Sequence, residues 1–194
     1  MATLAELLNR GDIKLAEVTE HLDKLSKADR ISQSVAINKA QQMKLWDIAD
    51  NSQTLKLDYL LPNSAKPLDP FPFECKNSLP LATRFQKVFY FDSKREICGY
   101  NNQSLMWFTG PGYYMVHMNP KCDKEIQVDY TLHPTEKPES WPPIKSNMAF
   151  PSRFIYGGTK DNLRWVSKDV VIGRAFKMGE KAMPNWFVLC RTRD

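Results

Sequence analysis

From Leu81 onward the chain is cut into short runs whose side-chain pattern repeats every two residues. ATRFQKVFYF, EICGYNN, SLMWFTG, GYYMVHM and EIQVDYTL follow one another, separated by DSKR, NNQS, GPG and NPKCDK. Separators of this kind make turns, and runs of this kind make strands. In EIQVDYTLH, Ile126, Val128, Tyr130 and Leu132 fall on one face, and Gln127, Asp129, Thr131 and His133 on the other. Phe85, Phe89 and Phe91 also share a face, but Lys87 stands among them. Successive antiparallel strands must protect their edges. The pattern therefore predicts an α+β protein built on a closed or nearly closed up-and-down β-barrel, or on a strongly curved antiparallel sheet packed against helices.

The chain finishes in a hairpin, VVIGRAFK and NWFVLCRTR joined by MGEKAMP, whose Gly179 and Pro184 suit a turn. One short helix is expected before it, capped by Thr159 and burying Leu163 and Val166. A short helix, VVIGRAF, a turn and WFVLCRTR together resemble the last strands of calycin-type barrels, the lipocalin and fatty-acid-binding group. The resemblance runs over roughly residues 83–194 and is one of pattern. The GxW signature of lipocalins near the first strand is missing, and the N-terminal helices are additional. What the resemblance implies is a barrel around an apolar cavity.

Residues 1–51 read as a helical segment and 52–194 as the barrel domain. Thr3 and Glu6 are spaced as a capping box. Asp12 can cap a helix carrying Leu15, Val18, Leu22 and Leu25 on one face, and a second helix is expected from about Ala28 to Ala49. The stripe on 15–25 can dock on its own domain or form the seam of a homodimer. Residues 62–80 carry Pro62, Pro67, Pro70, Pro72 and Pro80. Proline lacks the donor that helices and ladders need, so this stretch is expected to be an irregular strap, lid or plug. A second proline-rich strap covers 133–151.

With 42% hydrophobic and 25% charged residues, the chain has the balance of a folded globular protein. Its net charge of +5 comes from basic residues spread along the sequence, which describes a solvated surface better than a nucleic-acid groove. Glu6, Arg10 and Asp12 interrupt the start where a secretory segment would be apolar, and no run is long enough to span a membrane. Cys75, Cys98, Cys122 and Cys190 are too scattered for a zinc clip. These features predict a cytoplasmic protein with free thiols. His21, His117 and His133 are likewise too scattered for a metal site. No cofactor motif or nucleophile elbow is present.

The candidate site residues follow from strand faces. Val170, Ile172, Arg174 and Phe176 share a face, and an arginine among apolar residues must be paired or must hold an anion. Arg174, with Arg84 and Arg153 as further candidates, would take a carboxylate bidentately. Phe89, Trp107, Tyr113, Tyr114 and Trp186 would enclose an apolar ligand body. His117, on one face with Tyr113 and Met115, can act as acid or base, with Asp129 as its partner and Tyr130 as a hydrogen-bond donor.

Three functional readings follow. The first is binding of a small, largely apolar ligand, with or without an anionic group, inside the barrel. The second is a cofactor-independent isomerase, cyclase or lyase, with His117 and Asp129 working in the same cavity. The third is an interaction module or homodimer.

Overall fold

The computed structural model describes residues 2–80, 83–178 and 180–193. The expected strand start at Leu81 and Ala82, and Gly179 of the last turn, lie outside the described residues. Among the described residues four α-helices precede the sheet: α1 (Leu4–Leu8), α2 (Leu15–Lys24), α3 (Lys27–Ser34) and α4 (Lys39–Ile48). Eight antiparallel strands follow: β1 (Phe71–Asn77), β2 (Arg84–Phe91), β3 (Ile97–Asn102), β4 (Tyr114–Met118), β5 (Ile126–Asp129), β6 (Thr159–Trp165), β7 (Val170–Lys177) and β8 (Lys181–Arg191). A one-turn helix, α5 (Met106–Thr109), sits between β3 and β4. Each strand pairs with the next, and β8 returns to β1, so the barrel is closed and has no free edge.

The register fixes what lies inside. Phe73 pairs with Lys87, Lys87 with Asn101, Gly99 with Tyr114, Val128 with Asp161, and Gly173 with Phe187. Opposed residues share a face, so all of these point inward. Two glycines make room for aromatic rings there. A Cβ on Gly99 would lie 2.4 Å from the Tyr114 ring, and one on Gly173 would lie 2.3 Å from the Phe187 ring. Each ring can therefore lie flat against the opposite backbone and fill the interior.

The helices cover the outside of β7 and β8. Val18, Leu22, Leu45 and Trp46 pack with Val170, Ile172, Trp186 and Val188 in one buried cluster. The stripe expected on 15–25 is thus used internally, with Val18 and Leu22 buried completely. Each such side chain contributes roughly 1.5–3 kcal/mol. The helix expected over 28–49 is two helices, broken after Ser34 because Asn38 opens α4. Its side chain accepts from the Gln41 N–H at 3.0 Å, and Gln41 Oε1 accepts from the Asn38 N–H at 2.8 Å. The Thr3–Glu6 box stands as expected. Asp12 instead pairs with Arg10, and α2 begins from Lys14.

Three stretches differ from the sequence expectation. SLMWFTG, expected as a strand, instead carries α5, with Trp107 and Phe108 exposed. Phe71–Asn77, inside the proline-rich segment, is a strand. Phe71, Phe73 and Cys75 are buried in alternation, and Pro72 precedes the first pair with β8, where its missing N–H disturbs no ladder. The helix expected at Thr159 is β6, in which Asp161 and Leu163 point inward. Residues 55–70 close one end of the barrel. Leu55, Leu60 and Leu61 are buried in the interior cluster. Arg95 holds the strap by donating to the carbonyls of Ala65 and Asn63, both at 2.7 Å.

Candidate ligand-binding cavity

The other end of the barrel is open. A cavity of about 410 Å³ enters between the β1–β2, β3–β4, β5–β6 and β7–β8 connections. Its upper wall is apolar, with Leu79, Phe85, Leu105, Phe108, Ile155 and Phe187. Its deeper lining includes Lys87, Asn101, Tyr130, Tyr156 and Asp161.

These polar groups form one network. Lys87 is 1% exposed, and its Nζ lies 3.2 Å from Asp161 Oδ2. The same ammonium donates to Asn101 Oδ1 at 3.3 Å and to the Tyr130 hydroxyl. Asn101 Nδ2 donates to the Tyr130 oxygen at 2.9 Å. The rings of Tyr114, Tyr130 and Phe187 lie 4.7, 4.9 and 5.3 Å from Nζ. Aromatic faces at that range stabilise a cation stripped of water. Tyr156 stacks on Tyr130 with 5.2 Å between centroids, and its hydroxyl accepts from Gln103 Nε2 at 2.7 Å.

Burial dominates the electrostatics. It pushes the Lys87 ammonium below its ordinary value, against the pull of Asp161. It pushes the Asp161 carboxyl above its ordinary value, against Lys87 and Tyr130. Both shifts favour the uncharged forms. Tyr130 is held well above the usual phenol value by burial, and Tyr156 is pushed up to about 12. The tyrosines are therefore neutral donors at physiological pH.

The wall around this floor is held by loop contacts. The buried Asn147 side chain donates to the carbonyls of Tyr113 (2.7 Å) and Tyr130 (2.9 Å), tying the long β5–β6 connection to the barrel. Ser152 donates to the Thr109 carbonyl at 2.8 Å and joins that connection to α5.

Of the residues singled out from the sequence, Tyr130 lines the cavity and Trp186 stands at its rim. Tyr114 and Phe89 are interior and fully buried, packed against one another below the polar network. Arg84 and Arg153 are exposed, with Arg153 lying over the Phe154 ring, and Trp107 is 82% exposed on α5. Tyr113 faces outward under the long connection, donating to the Pro142 carbonyl.

Arg174 does not enter the barrel. It pairs in register with Trp186 and Asn162 on the outer face, where its guanidinium stacks 4.7 Å from the Trp186 ring and donates to the Met183 carbonyl. The face it shares with Val170 and Ile172 is apolar because the helices cover it, not because it lines a cavity. His117 and Asp129 do come together, at 3.6 Å, but also on the outer face. Burial raises the Asp129 carboxyl, yet Lys160 at 2.7 Å and the Thr131 hydrogen bonds outweigh this and hold it below its ordinary value. The two side chains sit with Lys160 on the outside of the barrel and do not face the cavity.

The groups missed from the sequence are Lys87, Asn101, Gln103, Tyr156 and Asp161. Lys87 had left a signal, as the one charge on a phenylalanine face. Among the described residues no helix is long and apolar enough to cross a membrane. No family model, no curated protein and no solved structure matches the chain.

Proposed function

We propose that this protein binds a small, largely apolar ligand within the barrel, apolar body against the mouth and one polar end on the Lys87–Asp161–Tyr130–Asn101 floor. One observation carries the reading: a cavity of about 410 Å³, open at one end, with apolar walls above a buried polar cluster. That volume and lining suit one small molecule. The closed eight-stranded meander supports the calycin-like resemblance as one of architecture. Lys87 is balanced by Asp161, so the floor does not demand an anion. It favours a neutral acceptor such as a carbonyl or hydroxyl oxygen, which Lys87 and Tyr130 can reach with N–H and O–H donors. The helices pack on the barrel's own β7 and β8, which leaves the homodimer reading without its expected seam.

The test is native mass spectrometry of protein purified from its cellular background, with organic extraction of anything carried through. Alongside it, a neutral apolar probe is titrated while tryptophan fluorescence is followed. A one-to-one adduct or saturable binding is expected. Protein that stays ligand-free and fails to saturate with any apolar probe small enough for the cavity overturns the reading.

A further inference from the structure

The floor of the cavity holds more chemistry than recognition needs. A hydroxyl or amide would anchor a polar ligand end at less cost than a buried amine and a buried carboxyl, which lose their hydration on folding. Lys87 Nζ and Asp161 Oδ2 lie 3.2 Å apart, both line the cavity, and the Tyr130 hydroxyl touches Nζ. We propose that Lys87 is a carbonyl-capturing amine, and that the ligand class is an apolar aldehyde or ketone held as a Schiff base. The proposal rests on the cavity reading above and names the chemistry of the ligand's polar end.

The step balances within the observed residues. The Lys87 nitrogen lone pair attacks the carbonyl carbon, the carbonyl oxygen takes the proton of the Asp161 carboxyl, and the Asp161 carboxylate takes one proton back from the nitrogen, which gives a neutral carbinolamine. The carbon–oxygen bond then breaks. The hydroxyl leaves with a proton from nitrogen as water, and the nitrogen lone pair forms the second carbon–nitrogen bond. Imine nitrogen and Asp161 share the remaining proton. Written with that proton on nitrogen, amine, carboxylic acid and carbonyl become iminium, carboxylate and one water, with charge zero on both sides. No oxidant, reductant or metal enters.

The surroundings suit each species. The amine must be uncharged to attack, and burial favours that form against the pull of Asp161. Asp161 can supply a proton because burial holds its carboxyl above the ordinary value. Once formed, the iminium is a cation beside the Asp161 carboxylate and the faces of three aromatic rings. Tyr130, with a phenol too weakly acidic to ionise, can donate a hydrogen bond to the carbonyl oxygen under attack. Asn101 holds the Tyr130 oxygen at 2.9 Å and so positions that donor.

The experiment uses the full chain with trans-cinnamaldehyde as probe and trans-cinnamyl alcohol as its unreactive counterpart. Adducts are reduced with cyanoborohydride and located by peptide mass spectrometry across a pH series. The expected result is preferential labelling of Lys87 that extends to lower pH than that of exposed lysines, whose pKa near ~10.4 keeps them protonated and slow to react. The alcohol should suppress it in proportion to its own binding, followed by tryptophan fluorescence. Lys87→Arg should abolish the labelling. Should that variant fold poorly, alcohol competition on the unaltered protein still decides the matter. If the alcohol binds and Lys87 is never trapped, or only exposed lysines are labelled, the Schiff-base proposal is overturned while the cavity reading survives. If neither probe binds, both fail.

Discussion

Removing one member of the Lys87–Asp161 pair should cost far more than removing both. Lys87 is 1% exposed and Asp161 5%, with 3.2 Å between Nζ and Oδ2. In Lys87→Met the Asp161 carboxyl keeps its burial and loses its partner. Breaking such a pair costs about 3–5 kcal/mol, whereas replacing both members by groups of similar volume is close to neutral. At roughly 2–4 °C per kcal/mol for a chain of this size, Lys87→Met should melt on the order of 10 °C lower. The double variant Lys87→Met/Asp161→Asn should recover at least half of that loss.

The pH dependence has a definite sign. Without Lys87, the folded pKa of Asp161 rises further above its unfolded value near ~3.9. A carboxyl raised on folding contributes stability that is complete below the unfolded pKa and is lost as pH climbs through the folded one. Lys87→Met should therefore lose its deficit in acid and show it most at neutral pH. Urea unfolding followed by tryptophan fluorescence, for both single variants and the double, supplies the cycle. Additive single effects, or a Lys87→Met deficit that does not change with pH, would refute the claim that these groups form one desolvated unit.

Three further outcomes are expected. Gly173→Ala places a Cβ 2.3 Å from the Phe187 ring and 2.8 Å from Leu163, which should cost about 1–3 kcal/mol in urea melts and push Phe187 toward the cavity. An unchanged midpoint would show that the ring is not pinned there. Asn147→Ala leaves the Tyr113 and Tyr130 carbonyls without their donor, so a loss of about 1–3 kcal/mol should come with faster proteolysis within 131–158; unaltered cleavage would mean that other contacts hold the loop. Asp129 is depressed on folding, so its contribution is present above its unfolded pKa and lost as pH falls through the folded value. Asp129→Asn should flatten the acid limb of the stability curve below pH ~4, and an unaltered limb would remove the Lys160–Asp129 contact from the account.

The barrel was legible because alternation survives a change of environment. A strand such as Ile126–Asp129 shows its period whichever face is inward. The direction of each face was harder to read. Helices cover the outside of β7, so Val170 and Ile172 are as buried as Val171, and Arg174 looked interior when it is not. The inward residues there are small: Gly173, where the Phe187 ring crosses the barrel, and Ala175, which lines the cavity. Asp161 was hidden differently. TKDNLRW begins with residues that favour a helix cap, and only the pairing of Asp161 with Ala175 and Val128 makes the stretch a strand. Lys87 was the recoverable case. A lysine at the second position of a phenylalanine-rich face breaks the pattern, and a charge that breaks a core pattern needs a buried partner.

The most direct test of the cavity is to fill it. Ala175 lines the cavity and faces Asp161. Ala175→Leu should intrude on the space above the floor while leaving the polar network in place. The measurement is the affinity of trans-cinnamyl alcohol for both proteins, with thermal melts confirming that the variant folds. The account predicts at least a tenfold weaker affinity in the folded variant, a change of about 1.4 kcal/mol. Equal affinity in the two folded proteins would contradict it, because the ligand would then be binding somewhere other than inside the barrel.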